Sequence, residues 1–356
     1  MMNLTFEYTA PCKLAEEPVF LASDANLFGI TSVSANGRIF PAAPVNGGLL
    51  VILRAEAGET LTLTAGSENC GSCTAVLDAD TRKLHLTAGG FSFADYVFDP
   101  AFPKPHLGPI TDNGGNSFTR CDLMHKEHPH QRSIIIAIGD VNGVDCWNEP
   151  ADNCGYVRNE EIYDVVSSSA YAAFSARNRW TDHDGKPLMT ENTRFVVYNQ
   201  TEACRMLDLR ITFTADSGDV VFGPTKEAGP LGIRLRDELR ADIGQGTLCN
   251  SRGGVGEGEC WSKEAEWCDY YGVLDGIGDM GVTVYDHPSN ERYPTAWHIR
   301  AYGLFAANNF HFKGGYTLKA GESITYTYRI LFRRQPMTTD ELSARYESYT
   351  AETVCL

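Results

Sequence analysis

The stretch His128-Pro129-His130-Gln131-Arg132 crowds two imidazoles and a guanidinium into one short segment. An imidazole can take or give a proton near neutral pH, and a fixed guanidinium can hold a developing oxyanion. If the segment is a strand, period-two spacing puts His128, His130 and Arg132 on one face. His-x-His also suits two ligands on one divalent metal ion, with Glu227 as a distant third. Ile134, Ile135, Ile136, Ala137 and Ile138 follow. Apolar on both faces, they read as a strand buried on both sides, with the polar residues at its mouth. The loop "GDVNGVDCW" then supplies Asp140, Asn142, Asp145 and Trp147. Acceptors for hydroxyls beside a flat apolar ring are the equipment for gripping a sugar. The plainer alternative is that the histidines cap the strand and the loop glycines only serve turn geometry.

Three further stretches add candidates. In "GPTKEAGPLGIRL", Lys226 and Glu227 sit between Gly/Pro turns. Glu227 could act as base or metal ligand and Lys226 could steady an anion, or the two could form an exposed ion pair. In "YDHPSNERYP", His287 and Asn290 flank a turn opened by Asp286, whose own carboxylate suits bonding to backbone amides. In "TAWHIRAYG", alternation puts His298, Arg300 and Tyr302 on one face and Trp297 and Ile299 on the other. The candidate acid–base set is therefore His128, His130, Glu227, His287 and His298. Arg132, Asp140, Asn142, Asp145, Trp147, Lys226, Asn290, Trp297, Arg300 and Tyr302 are candidates for substrate contact.

The elements that must position these residues read as β almost throughout. "GGLLVILRAEAGETLTLTAG" predicts two strands about a turn at Ala57-Gly58, and "TAVLDADTRKLHLTAG" another hairpin. "TRFVVYNQTEACRMLDLRITFTA" and "ESITYTYRILFRR" predict longer strands. Helical signals gather only at the end, where Thr339 is an N-cap candidate in "MTTDELSARYESYTAE". The expected fold is all-β: a large antiparallel β-sandwich with a short C-terminal helix. An N-terminal β region over residues 1–100 would pack on a main sandwich over 101–335, with the helix and tail over 336–356.

Bulk properties narrow the partners. A chain of 356 residues can bury a sizeable core, and its net charge of −16 argues against nucleic acid or an anionic membrane. No apolar run approaches membrane-span length, and the N-terminus lacks the pattern of a signal peptide. The eleven cysteines include one C-x-x-C, Cys70 and Cys73, without a second half for a zinc site. Reduced thiols in a cytoplasmic protein are the expectation, with a redox pair at Cys70 and Cys73 as the alternative. "SRGGVGEGECW" lacks the Gly-Lys-Ser/Thr of a phosphate loop, so no nucleotide cofactor is expected, and no G-x-S-x-G elbow is present.

Taken together, "PKPHLGPITDNGGNSFTR", "HPHQRSIIIAIGDVNGVDCW", "GPTKEAGPLGIRL", "CNSRGGVGEGECWSKEAEWCDYYG", "VTVYDHPSNERYPTAWHIRAYGLFAANNF" and "YTLKAGESITYTYRILF" resemble, in order, a bacterial family of unknown function often labelled "methane oxygenase PmoA". The label reads as a misnomer, since the true methane monooxygenase subunit is an integral membrane protein. The family pattern is His-Pro-His-His-Arg, and Gln131 here replaces one imidazole. The resemblance implies a carbohydrate-related β-sandwich, of the galactose-mutarotase type, associated with sugar oxidoreductases. Three readings follow: a lyase or hydrolase acting on oxidised (3-keto) glycosides by β-elimination, a sugar epimerase or mutarotase, and a non-catalytic carbohydrate-binding module. Each takes a small-molecule or oligosaccharide partner, and each leaves a homo-oligomer open.

Overall fold

The computed structural model of the chain describes residues 4–121, 127–150, 152–201 and 203–351. Two eight-stranded, largely antiparallel sheets pack face to face. The first, called the site sheet, runs in the order Ala296–Ile299, Leu304–Asn308, Ala228–Arg234, Ile134–Ile138, His106–Leu107, Phe91–Val97, Lys83–Ala88, Thr74–Asp78. The second, the back sheet, runs Tyr156–Ser167, Tyr171–Thr181, Pro187–Tyr198, Cys204–Thr214, Ser323–Arg333, Gly278–Asp286, Trp267–Leu274, Gly246–Asn250. Alternation along each strand sends Ile134, Ile138, Ile233, Trp297 and Phe305 of the site sheet against Phe174, Trp180, Phe195, Phe213 and Tyr326 of the back sheet. Each such side chain removed from water contributes about 1.5–3 kcal/mol, which makes this layer the main source of stability.

The all-β sandwich with a terminal helix is as the strand patterning predicts. The region expected over residues 1–100 makes two contributions. Six strands between Thr5 and Gly66 form a separate sheet, whereas Thr74–Asp78, Lys83–Ala88 and Phe91–Val97 complete the site sheet. The strand Gly48–Ala55 shows why the smaller sheet docks. Leu49, Val51 and Leu53 fill its own core, while Leu50 and Ile52 point the other way, onto Tyr171, Val196 and Met206 of the back sheet. The helix Thr339–Ala351 lays Leu342 and Tyr349 on the same layer. Its cap is Thr338 rather than Thr339. The Thr338 hydroxyl accepts the Glu341 N–H at 3.2 Å, and the Glu341 carboxylate accepts the Thr338 N–H at 2.8 Å, a reciprocal capping box.

Charged side chains lock these parts together. Glu17 accepts hydrogen bonds from Arg345 at 2.7 Å and Arg329 at 3.1 Å, and Arg329 also grips Asp208 through two nitrogens at 2.7 and 2.8 Å. Glu17, Arg329 and Arg345 are buried, so loss of Glu17 would leave Arg345 without a carboxylate.

Candidate functional site

The inner face of the site sheet belongs to the core, so only its outer face can present side chains to a ligand. Ile135 and Ala137 point there and pack with Leu304, Ala306 and Trp147. The two-sided apolar reading of Ile134–Ile138 therefore holds. Trp147 lies flat enough on the sheet that a Cβ on Gly232 would come within 2.7 Å of its ring. Gly232 is thus the seat of the indole, and Trp147 is a floor of the site at 1% exposure, not an open stacking surface.

The His-rich segment is not a strand. The strand starts only at Ile134, and His128 and Ser133 have φ of 54° and 47°. Residues 127–133 turn instead of alternating, because left-handed backbone interrupts the extended chain. Arg120 fixes this turn by donating to the carbonyls of Glu127 at 2.6 Å and His128 at 3.3 Å. The two imidazoles still meet, ring centroids 5.8 Å apart and nearly perpendicular.

Arg132 is committed elsewhere. It forms a two-nitrogen fork with Glu149 at 2.7 Å each, and Lys104 completes the cluster at 2.5 Å from the same carboxylate. Burial works against the Glu149 charge, yet the hydrogen bonds from Arg132 and the pull of Lys104 hold its carboxyl below the usual range. Burial lowers the Lys104 ammonium, with Glu149 opposing that shift. Burial first, then Lys104, pushes His130 down to about 4, so this imidazole is neutral at physiological pH. Its Nε2, like Nδ1 of His128, is buried without a hydrogen-bond partner among the described residues.

A chain of contacts then crosses the face. His128 stacks on Tyr302 at 4.9 Å, Arg300 lies 5.6 Å from the Tyr302 ring and 5.9 Å from that of Trp261, and Trp261 donates its indole N–H to His298 Nδ1 at 2.9 Å. That bond makes Nδ1 an acceptor and leaves the ring proton of neutral His298 on Nε2. Burial, reinforced by Arg300 and Lys226, lowers His298 to about 3. Arg234, fully buried, lies 4.9 Å from the Tyr302 ring and donates to Gln131 Oε1 at 2.8 Å. Gln131 therefore has a fixed partner.

Of the expected residues, the structure gathers His128, His130, His298, Arg300 and Tyr302 on one face, although Arg300 and Tyr302 lie in the turn after the strand Ala296–Ile299. Lys226 and Glu227 border it as an ion pair at 3.5 Å. His287 is not brought to this face. It follows the back-sheet strand Gly278–Asp286 and packs edge-on against Tyr349 of the helix, at 5.2 Å. Asn290 is buried in that same turn, donating to Asp286 at 2.7 Å and to the Thr327 carbonyl at 2.8 Å. Trp297 is fully buried in the core and donates to the Ala265 carbonyl. Asp140, Asn142 and Asp145 are occupied with the loop backbone: Asp140 accepts from Gly143, Asn142 from Val221, and Asp145 from Trp147 and Asn148.

Among the described residues, no three His, Cys, Asp or Glu side chains lie close enough to ligate one ion. His128, His130 and Glu227 do not form the expected metal set, and no step below uses a metal. Cys70 and Cys73 are free thiols, and burial pushes both upward, Cys73 to about 12. Sequence patterning missed Lys104, Glu149, Arg234 and Trp261. Glu149 follows Trp147 by only two residues, but nothing local marks it as the counter-ion of an arginine 17 positions earlier.

Fold and site together define a large antiparallel β-sandwich that carries an imidazole- and guanidinium-rich outer face. The chain belongs to a family of unknown function (DUF6807), whose model matches residues 83–347. That description names no oxygenase. No curated protein matches the chain. Among solved structures it is similar to a GH36 alpha-galactosidase from Geobacillus stearothermophilus, at 12% identity and a TM-score of 0.40 over 73% of this chain and 41% of that one. An alpha-galactosidase from Lactobacillus brevis matches at 11% identity and a TM-score of 0.35, over 98% and 42%. Galactose 1-epimerase from Lactobacillus acidophilus NCFM matches at 10% identity and a TM-score of 0.30, over 90% and 100%. The chain spans about two-fifths of the length of the alpha-galactosidases, 41% and 42%. Likeness this distant says nothing of activity. Among the described residues no helix is long and apolar enough to cross a membrane.

Proposed function

We propose that the chain is a carbohydrate-active enzyme working by acid–base catalysis on the outer face of the site sheet. The observation that supports this most is the run of contacts from His128 through Tyr302, Arg300 and Trp261 to His298. It joins free-base imidazoles, a phenol and a guanidinium on one surface, with buried Arg234 beneath.

The substrate that best uses these groups is an oxidised sugar. A ketone at carbon 3 acidifies the proton on carbon 2. His130, neutral and with an unpartnered ring nitrogen, is the candidate base for that proton. The C–H electron pair moves into the ring as the enolate, with charge on the carbonyl oxygen, which Arg300 and Lys226 can stabilise. The enolate then expels the oxygen on carbon 1. The bond pair leaves with that oxygen, and a proton from Tyr302 or from His298 Nε2–H neutralises it, the phenolate or imidazolate so formed being offset by Arg300 and recovering its proton before the next cycle. Low basicity keeps the imidazoles unprotonated at neutral pH and also makes them mild bases, so the fixed cations must supply much of the stabilisation.

Epimerisation or mutarotation is the second reading. It is favoured by His298 being fixed as a donor while His130 lacks a partner, which gives one acid and one base. The experiment is turnover of 3-keto glucosides, ordinary glucosides and free aldoses by wild type, His130→Ala and His298→Ala. Loss of 3-keto glucoside cleavage in both variants is expected. Turnover of free aldoses alone would establish the second reading. No turnover by wild type, with sugar binding unchanged in both variants, would leave a binding module and end the catalytic one.

A further inference from the structure

The back sheet carries a hollow, remote from the proposed catalytic face, with a volume of about 500 Å³. Its floor is the outer surface of Pro187–Tyr198, Cys204–Thr214 and Ser323–Arg333. There Arg194 stands directly opposite Arg210, which in turn stands opposite Thr327. Like charges at directly paired positions have Cβ atoms only about 4.5–5.5 Å apart and repel.

Neither guanidinium makes an ion pair among the described residues. Arg194 donates only to neutral acceptors, the Asp164 carbonyl at 2.7 Å and the Ser175 hydroxyl at 3.3 Å. The neighbouring arginine of the hollow, Arg329, is saturated by Asp208 and Glu17. Scarcity of carboxylates is not the reason, since the chain has 46 acidic residues against 30 Lys and Arg. Glu291, also in the lining, is exposed and bonded to neither arginine.

The rest of the wall suits a polar ring. Thr325 and Thr327 line it beside Tyr349, and the Thr325 hydroxyl meets that of Thr212 at 2.8 Å. His287 Nδ1 accepts the Ser289 N–H at 3.1 Å, which leaves its proton on Nε2 as a further donor. A hollow of this size is in the range that takes one small ligand.

We propose that this hollow is a binding site for a small polyhydroxylated anion, a sugar bearing a carboxylate or a phosphate, with Arg194 and Arg210 as its anion clamp. Two planar forks side by side match the paired oxygens of either group. The hydroxyls, His287 and the tyrosine ring meet the remainder. The site does not depend on the catalytic reading of the other face and holds its ligand without chemistry.

The test is calorimetric titration of the full chain with inorganic phosphate, glucose 6-phosphate, glucuronate and neutral glucose. Binding of glucose 6-phosphate or glucuronate is expected, with glucose silent, and the tighter of the two assigns the anion. Arg210→Gln should weaken binding about 10-fold or more, the scale of a lost charged hydrogen bond, and Arg210→Lys by less. His298→Ala should bind the anion like wild type. Because Arg210 is exposed and its charge is opposed by Arg194, Arg210→Gln should keep or raise the thermal midpoint without ligand. Failure of every anion to bind at about 10 mM, or equal affinity in Arg210→Gln, would overturn the proposal.

Discussion

Tyr302 lies parallel to the imidazole of His128, with planes 4° apart and centroids 4.9 Å apart, while the Arg234 guanidinium carbon lies 4.9 Å from the same ring. The stack holds a histidine whose backbone has a φ of 54°, a conformation that costs free energy unless its surroundings impose it. Tyr302→Phe should keep the stack and lose little stability. Tyr302→Ala should lose about 1–3 kcal/mol and release His128, read as a lower denaturation midpoint and a larger fall in turnover than for the Phe variant.

Glu149 is the counter-ion of two buried cations. Glu149→Gln would leave Arg132 and Lys104 without a negative partner, and a loss of about 3–5 kcal/mol in chemical denaturation is expected. A variant within 1 kcal/mol of wild type would show that water already neutralises the cluster.

Gly232→Ala tests the seat of Trp147. The new methyl would stand 2.7 Å and 3.1 Å from two indole carbons. Overpacking of this kind costs about 1–3 kcal/mol, and the ring should shift, seen as a changed tryptophan emission. Unchanged emission and stability would mean that the sheet gives way instead.

The histidines give a signed pH dependence. His130 and His298 fall from 6.5 to about 4 and about 3 on folding. Below pH 6.5 the unfolded chain therefore binds protons that the folded chain refuses, so stability drops as pH falls from 6.5 towards 4. Asp286, raised to about 7 chiefly by burial, opposes this, because its ionisation in the unfolded chain lowers stability as pH rises from 3.8 to 7. The share of His298 is accordingly the difference between wild type and His298→Gln, which should have a flatter acid limb. Identical limbs would show that His298 titrates normally.

Trp261→Phe removes the donor that fixes the His298 tautomer. If His298 is the proton donor, kcat should fall about tenfold with KM little changed, and nitrogen NMR should show a mixture of tautomers. An unaltered tautomer would assign the fixation to another contact.

The strands were readable where one rule governed them. Two-sided apolar runs such as Ile134–Ile138 and alternating ones such as Ser323–Arg333 give their burial away. The turn at residues 127–133 was not readable, because left-handed φ at His128 is carried by no glycine. The outward side of His298 was legible from alternation with Trp297 and Ile299, whereas Arg300 and Tyr302 lie in the turn beyond the strand, where period-two spacing no longer applies. His287 was misplaced because a histidine beside an Asx turn looks the same on either sheet. Glu149 and Trp261 stayed hidden for a simpler reason: their partners are distant in sequence, and only tertiary pairing selects them.

The shared grip of Arg329 and Arg345 on Glu17 has a practical corollary for dissecting the chain. A shortened version lacking the first 66 residues would leave Arg345 without its carboxylate, and Arg329 with Asp208 alone, on a bare apolar layer, and should be insoluble or bind avidly to its missing segment. Supplying that segment as a separate polypeptide should restore a folded heterodimer, which makes the junction a natural place to split the protein for a complementation reporter.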